Sequence, residues 1–197
     1  MTAVRVGWAD SQDLLQSGFT YVSAMWVSST TCLTVGNDGQ SSAVLRSSDS
    51  GHTWTEVTGT NGIQNSVLTD IAASPSNIYV ITGRNVDNRA RRQLTTHIGG
   101  NLDSNYGPDG VVYTSKDGIN FSSAKGSNGL VSPGAGLNGA AVGSNLVAFV
   151  VGVGGKIFKS TLDPGLLDYT DWSDISPTAM TVMRRLRCCT TFILLYD

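Results

Sequence analysis

Short apolar runs recur along the chain, each closed by a cluster of Gly, Asn, Asp or Ser. Examples are YVSAMWV from Tyr21, TCLTVG from Thr31, VLTDIAA from Val67, NIYVITG from Asn77 and NLVAFVVGVGG from Asn145. Runs this short, rich in β-branched and aromatic residues and set off by turn formers, predict strands joined by tight turns. The runs repeat in a fixed order. Tyr21 to Trp54 contains two apolar stretches, a polar turn, and then VLRSSDSGHTW. The same order returns as VLTDIAA, NIYVITG and VVYTSKDGINF, and more loosely as LNGAAVG, NLVAFVVGVGG and KIFKSTLDPGLLDYTDW. Each unit reads as strand, strand, strand, turn, strand.

Self-similarity of this kind predicts repeated supersecondary units. The closing aromatics are Trp54, Phe121 and Trp172, so the first interval is 67 residues and the second 51. The excess is an insertion, RNVDNRARRQLTTHIGGNLDSNYGPDG, polar and Gly-rich, read as a loop over 84–110. Loops of this length in compact domains tend to carry function. About 50 residues with four short strands is the size of one propeller blade. The expected organisation is all-β, with three blades at about 20–60, 61–130 and 131–179. An atypical segment, 180–197, follows, with a basic run and the adjacent Cys188 and Cys189.

Composition narrows this further. The 197 residues include 14 Asp but one Glu, and 23 Gly, 23 Ser and 20 Thr against four Lys. That bias away from helix formers excludes a helical bundle. Net charge is -2 and the 13 basic residues are scattered except at 89–92 and 184–187. Nucleic acid is therefore not expected as a partner. No apolar run reaches the length that spans a bilayer as a helix. Three cysteines, one isolated at Cys32, do not make a disulfide framework. Met1 to Trp8 lacks the charged start and apolar stretch of a secretory signal, which fits an internal protein, a mature form or a fragment.

One motif is specific. Ser47, Asp49, Gly51, Thr53 and Trp54 spell Ser-x-Asp-x-Gly-x-Thr-Trp, and Ser115, Asp117, Gly118 and Phe121 give a form one residue shorter. In the third unit Ser160 and Trp172 keep their places, while Asp163 is displaced and followed by Pro164 and Gly165, which predicts a longer, irregular hairpin. The pattern resembles the Asp-box, or bacterial neuraminidase repeat, of sialidase-like, sortilin-like and photosystem assembly factor-like propellers. Its chemistry is structural: a short acceptor for the amides ahead of it and a residue that tolerates positive φ. The aromatic after the turn is expected to be buried between neighbouring sheets. The resemblance implies that these turns lie on the propeller rim, away from the central pocket where sialidases act.

A sialidase of that family would need arginines converging on a carboxylate, a Tyr and Glu pair as nucleophile, and an Asp acid. Arg89, Arg91 and Arg92 share one loop and cannot each approach from a different blade, and Arg5 in Val4-Arg5-Val6-Gly7 only faintly echoes the family's N-terminal arginine signature. The one Glu, Glu56, sits just after the first box. Arg46 and Arg84 fall on or beside predicted strands and are the arginines placed to reach a pocket. Asn101, Asp103, Asn105 and Asp109 alternate oxygen ligands as a calcium loop does, but Gly107 is one place late and Val112 stands where a bidentate Glu belongs. A solvated turn is the better reading. His52 and His97 have no second ligand at zinc spacing. No metal or cofactor is expected. Asn120-Phe121-Ser122 matches a glycosylation sequon, with a residue at its centre expected to be buried.

The expected function is a non-catalytic binding or assembly module that presents propeller loops to a protein or glycan partner, with Arg89, Arg91 and Arg92 as a contact point for an acidic one. The alternative is a sialidase-type glycoside hydrolase or a fragment of one. Propellers close with typically four to eight blades. Three blades leave edges to be covered by another chain, another copy, or the C-terminal segment folding back.

Overall fold

The computed structural model describes residues 19–38, 41–60, 63, 66–85, 109–124, 130–132, 136–166, 168–169 and 171–177. All regular structure among them of more than one residue is strand. The first sheet runs in order through β1 (Thr20–Trp26), β2 (Cys32–Asn37), β3 (Ser42–Ser47) and β4 (Thr55–Glu56). A short β5 (Gly59–Thr60) leads to the second sheet, β6 (Ser66–Ala73), β7 (Tyr79–Asn85), β8 (Gly110–Ser115) and β9 (Asn120–Ser123). β5 pairs in parallel with the outer strand β9, so the chain leaving the first sheet covers the edge of the second. β10 (Leu130–Ser132) pairs with β8 beyond β9. The third sheet is β11 (Leu137–Val142), β12 (Val147–Gly152), β13 (Ile157–Thr161) and β14 (Ser173–Asp174). Each set of four is antiparallel.

The middle sheet is buried on both faces, which is why β7 and β8 read as nearly continuous apolar runs. Strand alternation sends Tyr79 and Ile81 toward the first sheet, where they meet Leu33, Val35 and Val44. Val80 and Val112 point the other way and pack with Leu137, Val150 and Phe158 of the third sheet. These two cores hold the three sheets in a row.

The first strand of each set of four, the inner strand β1, β6 or β11, carries a β-bulge at the same place. The register breaks between Tyr21 and Ser23, between Leu68 and Asp70, and between Leu137 and Gly139, leaving Val22, Thr69 and Asn138 as the extra residues. A bulge re-aims the side chains beside it, and here it turns polar groups toward the neighbouring sheets.

Candidate functional site

The two ends of the sheets differ. At one end lie the Ser-Asp-Gly turns between the third and fourth strands. The Ser50 amide donates to the Thr30 carbonyl at 2.8 Å, so the turn between β1 and β2 lies at the same end. The insertion between β7 and β8 leaves from the opposite end, where Arg84 pairs with Gly110 and the Asn85 amide donates to the Asp109 carbonyl at 2.9 Å.

The first turn is a closed hydrogen-bond unit. Ser47 Oγ donates to Asp49 Oδ1 at 2.8 Å and accepts from the Gly51 amide at 2.8 Å. Asp49 also accepts from the Thr53 amide at 2.8 Å and the Thr53 hydroxyl at 2.6 Å. The Thr53 hydroxyl, then its amide, then Ser47 hold the Asp49 carboxyl down at about 2. Ser50 and Gly51 both take positive φ, 65° and 89°.

The second turn repeats the scheme in fewer residues. Ser115 Oγ donates to Asp117 Oδ1 at 2.9 Å and accepts from the Gly118 amide at 3.0 Å. The Asp117 carboxylate accepts from the Ile119 and Asn120 amides at 2.8 and 2.7 Å, and from Asn120 Nδ2 at 2.7 Å. Desolvation alone would raise the Asp117 pKa. The bonds from Asn120, Ile119 and Ser115 outweigh it and bring the value to about 2. Asn120 thus spends its amide on this turn. An open pocket of about 230 Å³, lined by Lys116, Asp117, Asn120 and Asp168 among others, adjoins the turn and mixes both signs of charge.

The third hairpin departs from the scheme. Asp163 accepts from the Gly165 and Leu166 amides at 2.7 and 3.1 Å and its amide donates to the Asp168 carbonyl, forming a separate small turn. Ser160 Oγ, buried near the end of β13, has no hydrogen-bond partner among the described residues.

The closing aromatics do not share one environment. Phe121 is 1% exposed in the core between the first two sheets. Trp172 packs half-buried against the core between the second and third. Trp54 immediately precedes β4 and belongs to neither core. It is half-buried, and its Nε1 donates to the Gly51 carbonyl at 3.1 Å, closing its own turn. The expectation of an inter-sheet Trp54 is therefore corrected: Phe121 and Trp172 each meet the core shared with the preceding sheet, and no described sheet precedes the first, so Trp54 stands outside both cores.

Around the bulges, polar side chains tie the sheets together. Asp70 on β6 accepts from Ser23 Oγ of the first sheet at 2.5 Å and from the Ala140 amide of the third at 3.1 Å. Asn37 bonds the Leu68 backbone twice, at 2.9 and 2.7 Å, and Thr69 Oγ1 donates to the Leu137 carbonyl at 2.8 Å. Arg84 is 6% exposed; its guanidinium donates to Asn138 Oδ1, and its Nε has no partner among the described residues. Burial lowers its pKa from the ordinary value. Gly136 makes room for it, since a Cβ there would stand 2.6 Å from Arg84 Cδ.

Arg46 and Arg84 do not share a site. Arg46 pairs with Thr55 near the first turn, and Arg84 lies at the insertion end of β7. Glu56 is exposed on the outer strand β4. Among the described residues no three His, Cys, Asp or Glu gather as a metal site. Asp109 is at the base of the insertion; Arg89, Arg91, Arg92, Asn101, Asp103, Asn105 and His97 lie outside the described residues. Sequence reasoning missed Ser23, Asp70 and Asn138. The signal for Ser23 and Asp70 is a polar or Gly residue at the same offset in β1, β6 and β11, filled by Gly139 in the last; Asn138 stands one place earlier, where Val22 and Thr69 align, and has no such signal.

This architecture is all-β, three four-stranded antiparallel sheets similar to the YCF48 propeller structures. YCF48 from Cyanidioschyzon merolae superposes with a TM-score of 0.52 at 17% identity, over 82% of this chain and 38% of that one. A structure of YCF48 bound to D1 peptide gives 0.57 at 14% identity, over 86% and 44%. The chain thus spans less than half the length of either. A xyloglucanase from Xanthomonas campestris aligns at 0.46 and 14% identity, over 74% of this chain and 18% of that one. No family model matches the sequence, and no curated protein matches it.

Proposed function

We propose that the chain is a non-catalytic binding or assembly module of Asp-box propeller type, in which the Ser-Asp-Gly turns are structural and the opposite end meets a protein or glycan partner. The observation that carries this reading is the saturation of Asp49 and Asp117. Their carboxylates are filled by donors of their own turns, so neither is poised to move a proton or attack a substrate. The insertion hangs from the paired ends of β7 and β8 in a doubly packed sheet, and long loops on rigid frames are where recognition concentrates. The D1 peptide bound to YCF48 supports a peptide partner for a fold of this kind.

The last residue of each inner strand supports an assembly role as well. Ala73 and Val142 pack onto the preceding sheet, whereas Trp26 at the same place in β1 is 49% exposed. A sheet from another chain or copy seated on β1 would cover it.

The test is fluorescence anisotropy of a labelled acidic peptide with the parent and with a triple Ala variant at Arg89, Arg91 and Arg92. Roughly tenfold weaker binding by the variant is expected, and salt should weaken the parent. Equal affinities would remove the loop from the interface. Turnover of a fluorogenic sialoside, lost on replacing Arg46 or Arg84, would overturn the non-catalytic reading itself.

A further inference from the structure

The bulge of β11 places an Asn-Gly pair against a buried cation. Asn138 is the extra, half-buried residue of the bulge and Gly139 follows it. The only hydrogen bond of the Arg84 side chain among the described residues goes to Asn138 Oδ1. Among the described residues no carboxylate pairs with this guanidinium. A buried charge without a counter-ion is costly, and its pairing with a carboxylate would offset part of the desolvation. We propose that Asn138 is a self-modification site, converted to aspartate within the folded protein, and that the product completes an ion pair with Arg84.

The chemistry is that of Asn-Gly sequences, in which glycine offers no side chain to hinder its own amide nitrogen. The Gly139 nitrogen attacks Asn138 Cγ and loses its proton. The bond from Cγ to the side-chain nitrogen breaks, and ammonia leaves. Water then opens the cyclic imide, giving aspartate or its β-linked isomer. The net change is one water consumed and one ammonia released, with no redox partner. Arg84 enters through Oδ1: a cationic donor on that oxygen stabilises the negative charge that develops there during attack, as an oxyanion hole does. The bulge contributes by taking Asn138 out of the regular ladder.

The chain has two other Asn-Gly pairs, Asn61-Gly62 and Asn128-Gly129, which serve as internal controls in one digest. The folded full chain is held at mildly alkaline pH, and peptides around all three sites are followed by mass spectrometry. Conversion at Asn138 is expected, and Arg84→Met should slow it roughly tenfold, the worth of one charged hydrogen bond, while leaving the other two sites unchanged. Equal rates at Asn138 in parent and variant would overturn the proposal. So would an intact Asn138 in the folded chain over a time in which the denaturant-unfolded chain converts it. Should Arg84→Met fail to fold, Asn138→Asp decides: a raised Tm supports the pairing with Arg84, and an unchanged or lowered Tm sinks it.

Discussion

The Asp70 carboxylate stands 2.5 Å from the Ser23 hydroxyl of the first sheet, and its other oxygen accepts from the Ala140 amide of the third. One side chain of the middle sheet therefore clamps both neighbours. Asp70→Ala removes three bonds to a charged, part-buried acceptor, from Ser23 Oγ and the Ile71 and Ala140 amides, and strands the Ala140 amide. It should destabilise by about 2 kcal/mol. Asp70→Asn should cost less, since its oxygen can still serve one neighbour. Urea unfolding measures this, and an unchanged midpoint for Asp70→Ala would show that the sheets are held by their apolar cores alone.

Phe121 and Trp54 occupy equivalent places in sequence but differ in burial. Phe121→Ala should cost about 3 to 5 kcal/mol, the range for a large buried ring. Trp54→Ala should cost clearly less, because solvent already reaches the ring. Chemical denaturation of both variants checks the order, and a larger loss at Trp54 would mean that its face is covered in solution.

Gly118 takes φ 67°, and a Cβ there would meet Tyr79 Cζ at 3.2 Å and Leu33 Cδ1 at 3.3 Å. At Gly51 the φ is 89° but only Trp54 Cζ2 approaches, at 3.9 Å. Both Ala variants bear backbone strain of about 1 kcal/mol. Gly118→Ala adds crowding in the core, so its Tm should fall further than that of Gly51→Ala. Equal shifts would count against the crowding.

Acid should destabilise the turns over a defined window. Asp49, Asp117 and Asp174 all have folded values of about 2, below the ordinary 3.8. The cause at Asp174 is first the Lys156 side chain at 2.7 Å. Between these values the unfolded chain binds more protons than the folded one, so stability falls as pH drops. The contribution is present above pH 3.8 and is lost as pH falls through about 2. These groups are largely solvent-exposed, so screening keeps each effect small. Asp49→Asn and Asp117→Asn should flatten the acid limb of a Tm-against-pH curve. A parent-like slope in the double variant would assign acid loss to other groups.

Much of the local structure was legible in the chain itself. Turn chemistry is a matter of neighbouring residues, so Ser47 with Asp49 and Ser115 with Asp117 announce their hydrogen bonds within a few positions. Apolar runs between turn formers likewise mark the strands, because burial on both faces leaves no polar alternation in β7 and β8. The displaced Asp163 signalled an irregular third hairpin for the same local reason. Only the tertiary structure decided what depends on partners distant in sequence. Whether Trp54 is core depends on which sheet faces it, and the run of residues around Trp54 is silent on that. Asp70 reads as one charge in a strand until 47 residues separate it from Ser23 and 70 from Ala140 across sheet interfaces. Arg84 reads in sequence as an arginine beside a strand and placed to reach a pocket, and only the packing of the sheets leaves it buried on Asn138. Turn bonds close through a few rotatable dihedrals, whereas inter-sheet contacts exist only once the sheets have packed.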